Sequence, residues 1–327
     1  LSGTGAIAIG EEALKTTTGQ GNTIAIGAQA LKSLTTGSDN MAIGACAMRD
    51  TTTGLSNLAI GVQALKYTTE GRYNVGIGAN AVGQNTTGCY NTGVGYLASL
   101  KNTTACRNTS LGACALYNTT TGGNNVAIGM MSLCANTTSS NNVAVGCASL
   151  FTNITGSGNT AVGTCALATN NAGYNTAVGN HAMRYNTTGV FNDAFGSYAL
   201  RSNTTGCENT AVGYESQCKT TIGIRNVSVG FLSLKFNTEG GYNTGIGRSA
   251  LMKNTTGCFN TAIGTFAGCN NETANGITAL GYAALLANNA DANTAVGQHA
   301  AYANTTGTCN TAVGFCTLKE NLTGVMN

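Results

Sequence analysis

Small apolar residues, β-branched residues and glycine recur along the chain in units of 17 residues. Each unit closes a short apolar run with a glycine, which we call the marker glycine. The marker glycines are Gly10, Gly27, Gly44, Gly61, Gly78, Gly95, Gly112, Gly129, Gly146, Gly163, Gly179, Gly196, Gly213, Gly230, Gly247, Gly264, Gly281, Gly297 and Gly314. Only the steps into Gly179 and Gly297 are 16 residues long. We therefore predict one repeat array, a single domain, over residues 1–327.

The approximate unit is Asn-Thr-Ala-Val-Gly-x-x-Ala-Leu-x-x-Asn-Thr-Thr-Gly-x-x, and we count positions from the marker glycine, so that the first Asn is at −4. Position −1 is apolar in every unit, −2 is Ala, Gly or Ser, and −3 is mostly β-branched. A short β-rich run between Asn and Gly predicts a strand. We expect the larger residue, such as Ile263, to face the core and the small one, such as Ala262, to face away.

Two features of the unit leave structural alternatives open, and a third predicts a backbone conformation. The segment after the marker glycine is rich in helix formers and fits either one helical turn or a second, tightly turned strand. The unbroken column of small residues at −2 fits close approach by another chain or sheet, or a place beneath the turn segment of the same chain. The glycine of Asn-Thr-Thr-Gly, at +10, is expected to supply a positive φ in the turn to the next unit.

A unit this short cannot bury its apolar side alone, so neighbouring units must stack. The sequence predicts a mainly β repeat protein: a β-solenoid of about 19 coils of 17 residues, each with a short strand and a short helical or tight-turn segment. Asn occupies position −4 in 16 of the 19 units. A turn would tolerate Asp, Ser or Gly there, so we favour an internal ladder in which each amide bonds the one in the next coil.

The composition of the chain argues against several classes of function. Charged residues are 8% of the chain and the net charge is +3, which is too small and too scattered for a nucleic-acid partner or an anionic membrane surface. No run of 18 apolar residues predicts a membrane span. His181 and His299 lie seven units apart, and no paired carboxylates, zinc-type Cys spacing or phosphate loop is found. We expect no catalytic, cofactor or metal site, and therefore no enzyme.

The Asn-Thr-Thr-Gly segment carries Asn-x-Ser/Thr tripeptides in one column at +7. These candidate glycosylation sites are Asn85, Asn102, Asn136, Asn153, Asn186, Asn203, Asn254, Asn271, Asn304 and Asn321, with Asn118 one residue off the column. Glycans on an exposed turn would supply the solvation that so few charges cannot. The alternative is a good turn in which Thr hydroxyls bond the backbone. Asn108 and Asn226 match the tripeptide but belong to the predicted ladder, so we expect them unmodified.

Thirteen cysteines occupy recurring positions. Cys207 with Cys218 and Cys258 with Cys269 share one spacing and one phase, so both are candidate disulfides between adjacent coils. Cys89 and Cys106 share a single position 17 residues apart and would stack directly. The alternative is that Cys serves as a small buried hydrophobe.

The segments Asn-Thr-Gly-Val-Gly-Tyr-Leu-Ala-Ser-Leu, residues 91–100, and Asn-Thr-Ala-Val-Gly-Asn-His-Ala-Met, residues 175–183, resemble the head repeats of YadA-like trimeric autotransporter adhesins and of tail-fibre-like surface proteins. The resemblance extends over all 19 units through a Val/Ile-Gly-x-x-Ala core, which most of them carry unchanged. It implies a β-roll of coils, association of three chains and adhesion to surfaces or matrix. The sequence departs from that family in its longer period, in Leu at +4 and in its density of Cys and Asn-x-Ser/Thr tripeptides.

These observations support three hypotheses of function. The leading one is an extracellular or cell-surface structural protein, glycosylated and self-associating into a fibre, filament or appendage; its ends lack polar caps, which favours end-to-end assembly or a segment of a longer array. The second is an adhesin-like rod that recognises a matrix or glycan partner through clustered aromatic or charged residues. The third is an ice-binding solenoid, ranked last because its Thr column is interrupted by Val126, Val143, Asp193 and Val227.

Overall fold

The computed structural model describes residues 5–17 and 21–327 and contains nineteen strands of three residues. Its contacts divide the chain into two compact units, Leu1–Thr164 and Cys165–Asn327. Each unit is a parallel β-solenoid, and the predicted 17-residue coil is confirmed. In the N-terminal unit, for example, Ala25 pairs with Ala42 and Ala42 with Ala59.

The N-terminal unit contains ten strands, each hydrogen-bonded to the next along the chain. They are β1 (Ile7–Ile9), β2 (Ile24–Ile26), β3 (Met41–Ile43), β4 (Leu58–Ile60), β5 (Val75–Ile77), β6 (Thr92–Val94), β7 (Thr109–Leu111), β8 (Val126–Ile128), β9 (Val143–Val145) and β10 (Thr160–Val162). Their register keeps equivalent positions of the repeat side by side, as in Val94 opposite Leu111.

The C-terminal unit contains nine strands in the same arrangement. They are β11 (Thr176–Val178), β12 (Asp193–Phe195), β13 (Thr210–Val212), β14 (Val227–Val229), β15 (Thr244–Ile246), β16 (Thr261–Ile263), β17 (Thr278–Leu280), β18 (Thr294–Val296) and β19 (Thr311–Val313). The 16-residue step between β17 and β18 preserves the register, because Thr278 still pairs with Thr294 and Leu280 with Val296. The missing residue is therefore absorbed outside the strands.

The strands face the opposite way from the sequence expectation. The small residue at −2 points into the coil, and Ala262 is fully buried, whereas Ile263 at −1 is 38% exposed. Across the coil, the interior is filled by the small residue at +3 and the Leu or Met at +4, such as Ala250 and Leu251. The small column therefore lies beneath the turn segment of the same chain, which was the second of the two interpretations.

The reason for this orientation is the narrow cross-section of a 17-residue coil. At Gly76, which replaces the usual Ala at −2, an added Cβ would lie only 3.0 Å from Cγ of Leu65 in the preceding coil. An interior packed to this density accepts a methyl group opposite Leu and has no space for the larger branched side chain of Ile or Val. The large residues at −1 and −3 consequently point outward.

The segment after the marker glycine forms tight turns, and the described residues contain no helix. Positions +2 and +4 have left-handed φ values, such as 61° for Tyr198 and 48° for Leu200. The backbone N–H of Leu200 donates to the carbonyl of Ser216 in the next coil at 3.0 Å, where a helix would use a carbonyl four residues back. Left-handed backbone is costly for a non-glycine residue, and burial of the Leu side chain offsets that cost.

The two recurrent glycines are required for different reasons. The marker glycine Gly264 has φ of 135°, and a Cβ there would lie 2.5 Å from the carbonyl oxygen of Gly281. Gly206 at +10 does not have the expected positive φ. It is required by close approach, because a Cβ would lie 2.4 Å from Oδ1 of Asn203 and 2.4 Å from the carbonyl oxygen of Gly223.

Substituting a marker glycine should destabilise the solenoid far more than substituting a glycine with open space around it. Gly264→Ala combines a positive φ with a backbone clash, for which we expect a loss of about 3 kcal/mol or more in unfolding free energy. Gly276→Ala is the matched control, because Gly276 has φ of 65° but no atom within 4 Å of the added Cβ. The left-handed backbone alone should cost about 1–2 kcal/mol. Equal urea midpoints for the two variants would contradict the close-approach argument.

Candidate functional site

The Asn residues at −4 form the predicted internal ladder. The backbone N–H and Nδ2 of Asn209 donate to Oδ1 of Asn192 at 3.0 and 3.1 Å, and Nδ2 also donates across the coil to the carbonyl of Gly223 at 2.8 Å. Asn226 repeats the contact with Oδ1 of Asn209. Each buried amide thus links two coils and spans its own coil. Ile277 interrupts the column, although its backbone N–H still donates to Oδ1 of Asn260 at 3.0 Å.

Position +7 carries a second internal set of Asn side chains, which the sequence interpretation placed on an exposed turn. Asn203 is fully buried, and its Nδ2 donates to Oδ1 of Asn186 at 2.8 Å and to the carbonyl of Gly206 at 2.9 Å. Asn254 donates to Oδ1 of Asn237 in the same way. These runs are shorter than the first ladder. One run ends at Asn203, because position +7 of the next coil is Thr220, and Oδ1 of Asn203 has no hydrogen-bond partner.

The predicted exposure of the glycosylation column is therefore wrong. The buried candidates are Asn85, Asn102, Asn136, Asn153, Asn186, Asn203, Asn254, Asn271 and Asn304. A glycan needs Nδ2 to reach solvent, whereas here this nitrogen donates inward, so a sugar at these positions is incompatible with the fold. Asn321 and Asn118 are partly exposed, and Nδ2 of Asn118 donates to the carbonyl of Cys134 at 3.0 Å. The two residues expected to be unmodified, Asn108 and Asn226, are buried ladder members.

The alternative explanation of Asn-Thr-Thr-Gly fits the structure. The hydroxyl of Thr204 at +8 donates to the carbonyl of Thr221 in the next coil at 3.0 Å, beside the backbone bond between the same two residues at 2.9 Å. The sequence contains one indication of this structural role. Position +7 also carries Asn where no Ser or Thr follows two residues later, as at Asn170, Asn237 and Asn288. The column selects Asn for its amide and not for the tripeptide.

None of the three predicted disulfides is present, and all thirteen cysteines, which lie within the described residues, are free thiols. The paired positions have different surroundings. Sγ of Cys207 donates to the carbonyl of Thr205 at 3.3 Å on the surface, whereas Cys218 is buried. Burial also raises the pKa of the Cys218 and Cys269 thiols. Cys89 and Cys106 stack as expected, but the contact is a hydrogen bond from the Cys89 N–H to Sγ of Cys106 at 3.1 Å.

The outward strand positions form one face in each unit, which is apolar in the N-terminal unit except for Thr at −3 in three strands and carries Thr at most −3 positions in the C-terminal unit. In the N-terminal unit, positions −1 and −3 carry no charged residue in any of the ten strands. Ile9, Ile60 and Leu111 at −1 are 59%, 36% and 46% exposed. In the C-terminal unit Asp193 is the single charged residue at these positions. We call these surfaces the strand faces.

Aromatic residues at +12 stack between neighbouring coils. The ring centroids of Tyr73 and Tyr90 are 5.0 Å apart, and those of Tyr242 and Phe259 are 4.9 Å apart. Arg225, one coil before Tyr242, donates to the Tyr242 hydroxyl and pairs with Glu208 at 3.0 Å, which lowers the pKa of the Glu208 carboxyl. Tyr and Phe are thus interchangeable at +12, because either ring can stack on the ring of the next coil.

No protein-family model matches the chain, and no curated protein matches it. Within the described residues, no cluster of three or more His, Cys, Asp or Glu side chains could hold a metal ion. In the described part of the chain, no helix has the length and hydrophobicity that crossing a membrane requires. The resemblance to adhesin head repeats stays a prediction.

Removing one ladder amide should destabilise the fold markedly. Asn209→Ala leaves the Asn226 N–H and the Gly223 carbonyl without their buried side-chain partner, and it removes one of the two hydrogen bonds to Oδ1 of Asn192. We expect a loss of about 2–4 kcal/mol in unfolding free energy. Asn180→Ala, at an exposed position, is the matched control and should change stability by less than about 0.5 kcal/mol. Urea unfolding followed by circular dichroism measures both. A ladder without energetic importance would give the two variants the same midpoint.

Proposed function

We propose that this chain is a structural repeat protein that builds a fibre, filament or surface appendage by lateral self-association through its strand faces. The observation that carries the proposal is the charge-free apolar strand face of the N-terminal unit. Antiparallel and solenoid sheets that face water normally alternate apolar residues inside with polar residues outside. Here the inward position is Ala, Gly or Ser, and the outward positions of the N-terminal unit are Ile, Val, Leu, Met or Thr.

A second sheet is the partner that such a face fits best. Two flat sheets pack about 10 Å apart with interdigitated side chains, and the regular row of branched residues at −1 and −3 provides such ridges. Contiguous exposed apolar surface of this kind is uncommon on monomeric proteins. Another copy of the chain offers an identical, self-complementary row, which favours assembly from like chains.

An extracellular or cell-surface setting belongs to the proposal and rests on the resemblance to adhesin heads. The free thiols do not support an extracellular setting, because paired cysteines usually form disulfides in an oxidising compartment. Glycans are left out of the proposal because the column that would carry them is buried.

Charge on the strand face should abolish self-association. We expect the unmodified chain to sediment as oligomers or filaments, and the double variant Ile60→Lys with Ile77→Lys to sediment as a monomer, because two ammonium groups cannot be buried between sheets. Val62→Lys is the matched control: Val62 is 52% exposed but lies at +1, outside the strand face. Sedimentation velocity and negative-stain microscopy provide the readout. A monomeric unmodified chain, or equal association of both variants, would disprove the proposal.

Ice binding is a second candidate because one stretch of the Thr column is regular. Thr244, Thr261, Thr278, Thr294 and Thr311 pair in register on five consecutive strands, and all face outward. The interruptions at Asp193 and Val227 lie before this stretch. A flat row of hydroxyl and methyl groups is the surface that a lattice match requires.

If this row binds ice, the full chain should show thermal hysteresis, and Thr261→Lys with Thr278→Lys should remove it by disrupting the flat row. Thr92→Lys is the control, because Thr92 lies in the interrupted part of the column in the N-terminal unit. Osmometry measures the thermal hysteresis of the unmodified chain, the double variant and the control at equal concentration. Absence of hysteresis in the unmodified chain excludes this candidate.

A further inference from the structure

The C-terminal unit presents a row of five aromatic rings and one guanidinium group at the turns that follow six consecutive marker glycines. On six consecutive coils the residue at +1 or +2 is Tyr198, Tyr214, Phe231, Arg248, Phe266 or Tyr282, and we call this row the aromatic strip. His181 and His299 extend it by one coil on either side. In the ten coils of the N-terminal unit these positions contain one aromatic residue, Tyr96.

Neighbouring members of the strip touch from coil to coil. The ring centroids of Tyr198 and Tyr214 are 6.0 Å apart at 86°, and those of Tyr214 and Phe231 are 5.6 Å apart at 14°. The Arg248 guanidinium carbon lies 5.9 Å from the Phe231 ring and 5.6 Å from that of Phe266. Phe266 and Tyr282 complete the row at 6.3 Å. Neighbouring rings therefore meet both in stacked and in edge-to-face contacts.

Stability of the solenoid does not require these rings. The same backbone positions in the N-terminal unit carry residues such as Ala79, Ala113 and Cys147, and the coil there is equivalent. Stacking between rings contributes some stability. However, Tyr214, Phe231 and Tyr282 remain 45%, 46% and 48% exposed. A row of large rings left half in water on one unit only indicates contact with something outside the chain.

Three arginines beside the strip form no ion pair with a carboxylate in the described part of the chain. Arg201 lies 5.4 Å from the Tyr198 ring, and its buried Nε has no hydrogen-bond partner. Arg184, Arg201 and Arg248 form no ion pair in the described residues, whereas Glu215, the carboxylate within the row, is bound to Lys235 at 2.7 Å. An anionic ligand would therefore meet guanidinium groups without displacing a protein carboxylate.

We propose that the aromatic strip binds a linear acidic polysaccharide that runs along the coils of the C-terminal unit. Sugar rings offer apolar C–H faces to aromatic side chains, their hydroxyls can bond the Tyr hydroxyls, and carboxylates pair bidentately with the Arg guanidinium groups. A linear polymer with a repeated ring matches a row of rings on successive coils. The inference is independent of lateral self-association, which uses the strand faces.

Single-stranded nucleic acid would also stack on rings, but the charge of the strip fits it less well. Such sites follow the phosphate backbone with a dense positive groove. Here Arg184, Arg201 and Arg248 are spread over seven coils, from that of His181 to that of Tyr282, a length of about 34 Å at the spacing of parallel strands. Burial and the nearby Arg184 and Arg201 lower the pKa of His181, which favours the neutral form of this ring. The sparse charge favours a polymer with sparse carboxylates.

Affinity electrophoresis and calorimetry of the full chain with polygalacturonate test the proposal, with dextran and oligo(dT) as parallel probes. We expect polygalacturonate to bind and Phe231→Ala with Tyr282→Ala to weaken binding by at least about tenfold. Arg201→Gln with Arg248→Gln should weaken it and flatten its salt dependence. The matched control is Tyr73→Ala with Tyr90→Ala, an exposed stacked pair in the N-terminal unit, which should bind as the unmodified chain does.

Several outcomes would overturn the proposal. The proposal is wrong if polygalacturonate does not bind, or if the strip and control variants lose the same affinity for it. It is also wrong if oligo(dT) binds more tightly than polygalacturonate, or if dextran binds as tightly as polygalacturonate and the Arg substitutions do not change its affinity. Thermal melts of every variant must match the unmodified chain, so that lost binding reports the surface. Sedimentation of the strip variants, which should be unchanged, separates this result from the strand-face proposal.

Discussion

Hydrogen bonds between adjacent coils, which join residues about 17 positions apart, are the interaction on which this structure depends. Backbone groups in the strands and in the turns bond to the next coil, and the Asn column at −4 extends the same pattern into side chains, as between Asn192 and Asn209. Asn suits the position because one amide supplies both an acceptor and two donors. Asp would lack the donors and bring a charge into a buried site, where an unpartnered polar group is costly.

The narrow coil then determines what each other position can be. Ala262 and Leu251 fill the interior, and glycine is needed wherever two coils approach too closely for a Cβ, as at Gly206 and Gly264. Since nearly every inward position is committed to packing or hydrogen bonding, variation between coils is confined to outward positions. The strand faces and the aromatic strip are such positions, and both proposals concern them for this reason.

Much of the fold could be predicted because the repeat imposes the same local structure on every coil. The 17-residue period, the strand before each marker glycine and the ladder at −4 all follow from columns of the sequence, and the structure confirms them. The second Asn set at +7 was missed because the tripeptide around residues such as Asn203 also describes a glycosylation site. The aromatic strip was missed because Tyr198 and Tyr214 occupy adjacent positions of the repeat, which a column-by-column comparison separates.

The sequence by itself determined the length of the coil and the stacking of coils, because identical units related by translation can satisfy their hydrogen bonds only on one another. The tertiary structure decided which side of each strand is buried. In a three-residue strand such as Thr261–Ile263, alternation alone allows either side to face inward. The enclosed space is too small for Ile and fits Ala, so the coil cross-section placed the large residues outside. The residues predicted to form the core, such as Ile263, therefore lie on the surface. The Asn residues predicted to carry sugars, such as Asn203, lie in the interior.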